Sequence, residues 1–158
     1  MTDTLKSICE QCAHLREPQL EFIPRESQRQ KDIILRDLRE LVAAAANEQE
    51  RSVVLLAGGL FEAVLYSFIQ GQIEYITNRR GEFTFRPEHD LSNFVNIFNT
   101  WFSDLLRMRI PDIVVAYRNT IHINRELEFD EDVCSRAARD LLRQLDVLLS
   151  ALEGYDRT

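Results

Sequence analysis

The segment Ala116-Tyr117-Arg118-Asn119-Thr120-Ile121-His122 sets a guanidinium, a carboxamide and an imidazole inside what otherwise reads as a buried helix. An arginine presents five fixed donors that suit phosphate oxygens, a histidine exchanges a proton near neutral pH, and an asparagine can hold either in place. Together they point to the handling of a phosphate. His14 and His89 have no comparable neighbours and read as surface or loop residues.

The elements that must position this set are helical. A chain of 158 residues with 45% apolar side chains is about one domain long and can bury a core without disulfides or metal. Gly (5) and Pro (4) are scarce, and apolar residues recur at helical rather than alternating spacing, so the expected fold is an all-α bundle of about five helices. Residues 1–27 predict a short amphipathic helix stopping near Pro18 and an extended connector through Pro24, ahead of the bundle over 28–154.

Within the bundle, Ser27 to Asn47 predicts a helix burying Ile34, Leu38, Leu41, Val42 and Ala45, with Arg29, Arg36, Arg39 and Glu40 in water. Glu50 to Asn78 is apolar on almost every face and predicts the central helix. Gly58-Gly59 inside it costs about 1 kcal/mol per glycine relative to alanine, which implies close approach of another helix backbone. Glu62 stands alone among apolar neighbours, and a buried charge needs an arginine partner or a proton to neutralise it.

Residues 79–90 predict a loop with Asp90 as a cap. Leu91, Phe94, Val95, Phe98, Trp101, Phe102 and Leu105 then form an aromatic helix face to about Met108, read as core or dimer interface rather than a platform for bases. Pro111 and Asp112 open the next helix, carried inward by Ile113, Val114, Tyr117 and Ile121 and ending near Asn124. Phe129-Asp130-Glu131-Asp132 caps the last helix, whose stripe is Val133, Ala137, Leu141, Leu145, Leu148 and Leu152, with Gly154 as its stop.

Charge and cysteine content narrow the classes. A net charge of -7 argues against generic nucleic-acid binding, which depends on neutralising phosphates with cations. Local basic patches remain: Arg107, Arg109, Arg118 and Arg125 face only Asp112, and Arg79, Arg80 and Arg86 face only Glu82. Only Lys6 and Lys31 are lysines, and the arginine bias suits bidentate pairing to carboxylates or phosphates alike. Cys9, Cys12 and Cys134 make an odd count that fits a reducing compartment; Cys9, Cys12 and His14 look like half a zinc site, but the thiols fall on a helical stripe with Leu5, Ile8 and Leu15 and read as core. No signal peptide or membrane span is read from the sequence, and a soluble, cytoplasmic protein is expected.

Leu56-Ala57-Gly58-Gly59-Leu60-Phe61-Glu62-Ala63-Val64-Leu65 and Arg118-Asn119-Thr120-Ile121-His122, in this order of helices, resemble the HEPN superfamily of small all-α domains over most of residues 28–153. The second stretch resembles that family's Arg-Asn-x-x-x-His signature, with a shorter spacing in which only Asn119, Thr120 and Ile121 intervene. The resemblance implies a homodimer and a metal-independent endoribonuclease or RNA-binding protein of toxin or defence type, with no cofactor, and with a cognate antitoxin or other partner protein. It implies that Arg118 binds the scissile phosphate, His122 acts as general acid or base while the substrate's 2′-hydroxyl attacks, and Asn119 orients one of them. Arg107, Arg109 and Arg125 would contact the RNA backbone, and Glu62 would have a structural, charge-tuning role.

Positions i and i+4 of a helix lie about 40° apart, so the shorter spacing still brings Arg118 and His122 to one face. Two other readings stay open at this point. In one, Arg118 neutralises Glu62 inside the bundle and the chain is a non-catalytic dimeric interaction module. In the other, the same pocket binds a nucleotide, although the sequence carries no Gly-rich phosphate loop.

Overall fold

A computed structural model of the protein describes residues 3–80, 90–124 and 131–155, leaving aside the side chains at 80, 119–124 and 131. Among the described residues the chain is all-α, without a strand. Helices α1 (Leu5–Gln11), α2 (Ala13–Arg16), α3 (Gln28–Ala46), α4 (Glu50–Gln70) and α5 (Ile73–Arg80) make up the first half. Helices α6 (Leu91–Trp101), α7 (Ser103–Leu106), α8 (Asp112–Asn124) and α9 (Glu131–Glu153) make up the second. Five of these, α3, α4, α6, α8 and α9, are long enough to form the bundle, and the short ones are breaks or additions at their ends.

Helix α4 is the axis. Val53, Val54, Ala57, Leu60, Phe61, Val64, Leu65, Phe68 and Ile69 are all fully buried on it, because α3 and α9 pack along its length and α6 and α8 cover further faces. By length and composition α4 could cross a membrane, but 61% of its most apolar stretch is buried against the rest of the fold, as a core helix requires. Phe68 is the hub of an aromatic cluster. Its ring meets Phe102 at 5.0 Å, Tyr155 at 5.5 Å, Phe98 at 6.1 Å and Phe22 at 6.3 Å, all edge to face, the arrangement that aligns a ring's positive rim with its neighbour's negative face. The aromatic face of α6 is therefore core.

Several expected helices are interrupted. The central helix stops at Gly71 and restarts as α5 at Ile73, where buried Gln72 accepts a hydrogen bond from Tyr155 Oη at 3.1 Å. The aromatic helix ends at Trp101, and after α7 the backbone at Arg107 turns left-handed (φ 52°). That turn leaves Leu105 exposed rather than on the buried stripe, and Ile113 on α8 is likewise exposed. The first helix breaks at Cys12, yet Leu5, Ile8, Cys9, Cys12 and Leu15 keep one buried stripe across the break. The connector after Pro18 buries Leu20, Phe22 and Ile23 before a 3₁₀ turn at Arg25–Ser27. The expected helix-capping residues Phe129 and Asp130 lie outside the described residues, whereas Asp90 caps α6 by accepting from the Asn93 amide at 3.0 Å.

Carboxylates far away in sequence hold the N-terminal segment in place. Glu48 Oε1 and Oε2 accept the Leu5 and Lys6 amides at 2.8 and 3.0 Å, satisfying donors that the start of α1 leaves open. Glu48 itself sits in left-handed backbone (φ 54°) at the end of α3, where its amide donates to the Ala45 carbonyl and that of Gln49 to Ala44. That bond pattern closes a helix and usually employs glycine. A glutamate here accepts backbone strain and in return caps a second helix.

At α2, Asp146 Oδ1 accepts the His14 amide at 3.0 Å, and Glu153 accepts the Gln19 amide at 2.8 Å and pairs with His14 Nδ1 at 2.5 Å. His14 is thus a half-buried tie to α9, not a free surface histidine. Burial pushes the Asp146 carboxyl above its usual range, outweighing the backbone donors that favour its charge. Cys9 and Cys12 are core residues, and burial, with Asp146 nearby, pushes the Cys12 thiol up to about 12.

Glu48→Ala and Asp146→Ala should each lower stability by about 1 kcal/mol in urea unfolding, the usual cost of a lost helix cap, with helicity unchanged. A loss below a tenth of that would mean the caps are replaced by water. At pH 8 a disulfide reagent such as dithionitrobenzoate should leave Cys9 and Cys12 unmodified in the folded protein and react with them once urea unfolds it. Fast labelling of the native protein would contradict the buried, protonated thiols.

Candidate functional site

Helix α8 runs unbroken from Asp112 to Asn124, so positions 118 and 122 stand one turn apart along it. Its entry is fixed by Asn99 of α6, whose buried side chain clamps the backbone just ahead of α8. Asn99 Nδ2 donates to the Ile110 carbonyl at 3.0 Å, and its Oδ1 accepts the Ile110 amide at 2.9 Å. Both peptide groups are buried and need such partners, at about 1–3 kcal/mol for each one left unmet. The Pro111 carbonyl then accepts from Val114 at 3.1 Å, and Asp112 places a carboxylate in the first turn, where the helix dipole favours it.

The rotation of α8 is fixed from the other side. Tyr117 Oη donates to Asp140 Oδ2 on α9 at 2.9 Å, and burial together with that acceptor pushes the phenol above its ordinary range. Val114 is buried beneath the helix. With Val114 inward and Tyr117 fastened to α9, the next residue, Arg118, is directed across α4.

Arg118 lies on Gly58. A methyl group added at Gly58 would stand 2.7 Å from Arg118 Cδ and 3.5 Å from Nε, so the glycine makes room for the arginine's stem. This corrects the expectation that the glycine pair admits another helix backbone. What it admits is one side chain, and only at Gly58; at Gly59 nothing lies within 4 Å of such a methyl group, and that residue is exposed. One turn further along α4, Glu62 Oε1 sits 3.3 Å from Arg118 Nε. The carboxylate that stands among the apolar residues of the central helix therefore has an arginine partner. The pair stands at the edge of the core, with side-chain exposures of 34% for Glu62 and 20% for Arg118, so water reaches the carboxylate more readily than the guanidinium.

Of the other residues singled out from sequence, Arg107 and Arg109 are exposed on the connector between α7 and α8. Asn119 and His122 lie within α8, their side chains outside the description, and Arg125 and His89 fall outside the described residues. Arg79 of the second basic patch lies over the Tyr75 ring at 3.7 Å, a cation–π contact within α5. Sequence reasoning missed Asn99 and Asp140. A signal existed for Asn99, a carboxamide beside the buried Phe98 and Val95 of an otherwise aromatic face. None existed for Asp140, which is an ordinary polar position of α9 until Tyr117 is placed against it.

A cavity of about 670 Å³ opens elsewhere, lined by Glu48, Arg51, Asp132 and Cys134 among others. Its carboxylates oppose an anion, and neither Arg118 nor Glu62 borders it. Arg118 and Glu62 are thus separate from this hollow.

Set against protein-family models, curated proteins and solved structures, the chain matches none of them.

Gly58 and Gly59 should respond oppositely to the same substitution. Gly59→Ala should stabilise the protein by about 1 kcal/mol, the helix-propensity difference, since nothing obstructs the methyl group. Gly58→Ala should gain nothing or lose stability, because Arg118 must leave its seat. Equal stabilisation by both substitutions in thermal unfolding would show that Arg118 does not depend on Gly58.

Proposed function

We propose that the chain is a HEPN-like, metal-independent protein that cuts or grips RNA, working as a homodimer with Arg118, Asn119 and His122 in its working groove. The observation that carries this reading is the continuity of α8 through positions 118–122, which gives a guanidinium and an imidazole a one-turn spacing on a helix anchored at both Ile110 and Tyr117. Anchoring matters because a phosphate-binding arginine stabilises charge best when its position is fixed before substrate arrives. Arg118 supplies the positive charge for the phosphoryl oxygens, the ribose 2′-hydroxyl is the nucleophile, and His122 moves the proton, a contribution of about 10²–10⁴-fold. Glu62 and Gly58 act on Arg118 alone, by holding its stem and balancing its charge. The dimer is supported by an uncovered apolar surface beside them: Leu55 of α4 is 55% exposed, and Gly59 one turn on is open.

A second reading, a non-catalytic dimeric interaction module, draws on a specific observation. Glu62 already neutralises Arg118, and an arginine spent on a structural ion pair has less to offer a phosphate. The net charge of -7 supports it too. In this reading Leu55 and its neighbours meet a protein partner, such as an antitoxin.

Incubating the purified protein with single-stranded RNA in EDTA separates the two. The nuclease reading expects fragments ending in 2′,3′-cyclic phosphate, lost in His122→Ala and in Arg118→Ala while circular dichroism stays unchanged. Intact RNA together with no retention of RNA by the wild-type protein would leave the interaction module.

A further inference from the structure

Helices α2 and α3 leave between them a groove of about 520 Å³ with an apolar floor and two cationic edges. Leu15 and Leu38, each 1% exposed, form its base, and Leu35, Val42 and Pro18 form its walls. On α3, Leu35, Leu38, Arg39 and Val42 follow the i, i+3, i+4, i+7 pattern of a single face, and exposed Arg39 forms its edge on that helix. Arg16, the last residue of α2, borders it from the opposite helix.

The charge of this groove is opposite in sign to that of the chain. The chain as a whole is acidic, yet two guanidiniums and no carboxylate line this hollow. Some of the described arginines have acids beside them: Arg36 pairs with Asp37 at 3.1 Å, Arg143 with Asp3 at 3.1 Å, and Arg118 with Glu62. Arg16 and Arg39 pair with no described carboxylate. An apolar slot rimmed by two unneutralised guanidiniums complements a ligand with one anionic head and an apolar body.

Size favours a small molecule. The volume lies in the range of about 300–1,000 Å³ typical of small-ligand sites. Two turns of α3 and one corner of α2 fall well short of the roughly 20–30 residues per side that a stable protein interface uses. From Leu35 to Val42 the groove runs about 10 Å along the helix axis, a length that a medium acyl chain fills. We infer that the α2–α3 groove binds a free medium-chain carboxylate, its chain on Leu15, Leu35, Leu38 and Val42 and its carboxylate held between Arg16 and Arg39. This site is independent of the RNA reading, since none of its residues lies on α4 or α8.

Titration calorimetry of the full chain with octanoate tests it, using octan-1-ol as the uncharged analogue and acetate as the head alone. Octanoate should bind once per chain, and both analogues should bind more weakly by roughly tenfold or more, since a charge-assisted bidentate contact and the apolar contact are each needed. The double substitution Arg16→Gln, Arg39→Gln, on exposed side chains that the fold does not use, should weaken octanoate by a similar factor. Leu35→Trp should block the slot. No octanoate binding, equal binding of octan-1-ol, or undiminished octanoate binding in the arginine double variant would each overturn the proposal; the arginine result stands even if the tryptophan variant does not fold.

Discussion

A helix that is apolar on nearly every face cannot exist in water alone, and α4 imposes that constraint on the whole chain. Its buried residues require cover from α3, α6, α8 and α9 at once, and the remaining helices fall into place around it. Along this helix one carboxylate, Glu62, interrupts the apolar sequence, and a charge at the edge of a core is tolerable only with a partner. Gly58 and Arg118 answer that need together: the glycine removes the side chain that would obstruct the arginine, and the arginine neutralises the acid. The same contact determines how closely α8 can approach α4.

Around that centre, polar groups act as fasteners between distant parts of the chain. The buried polar residues among those described each have a use: Ser67 Oγ donates to Gln30, Gln72 accepts from Tyr155, and Asn99 clamps Ile110. Glu48, Asp146 and Glu153 take up backbone amides of the first 19 residues, so the N-terminal segment is bound by directed hydrogen bonds as well as by its leucine and cysteine stripe. Hydrophobic burial is nondirectional, and caps of this kind determine which of several similar dockings the short helices adopt.

The arginine-rich composition takes on meaning only when the partners are known. One arginine balances the buried helix's acid, two meet acids at the surface, one lies over a tyrosine ring, and two face an apolar groove without a neighbouring carboxylate. A guanidinium serves all of these settings because it is permanently charged, planar and weakly hydrated. Residue type alone therefore does not separate a structural arginine from one available to an anion. Position relative to acids does.

The amphipathic periods of α3 and α9, the capping role of Asp90 and the need of Glu62 for a cation were legible in the sequence, because each is a local property of spacing or of charge among apolar neighbours. The breaks at Cys12, Gly71 and Phe102 were not, since each chain segment there retains helical periodicity across the break. Of the candidate site, sequence supplied Arg118 and the suspicion of Glu62. Tertiary structure alone decided that Gly58 receives a side chain rather than a helix, that Asn99 and Asp140 fix α8, and that His14 belongs to α9. Those contacts join residues separated by anything from 11 to 139 positions, and nothing in a local pattern encodes which distant group will arrive.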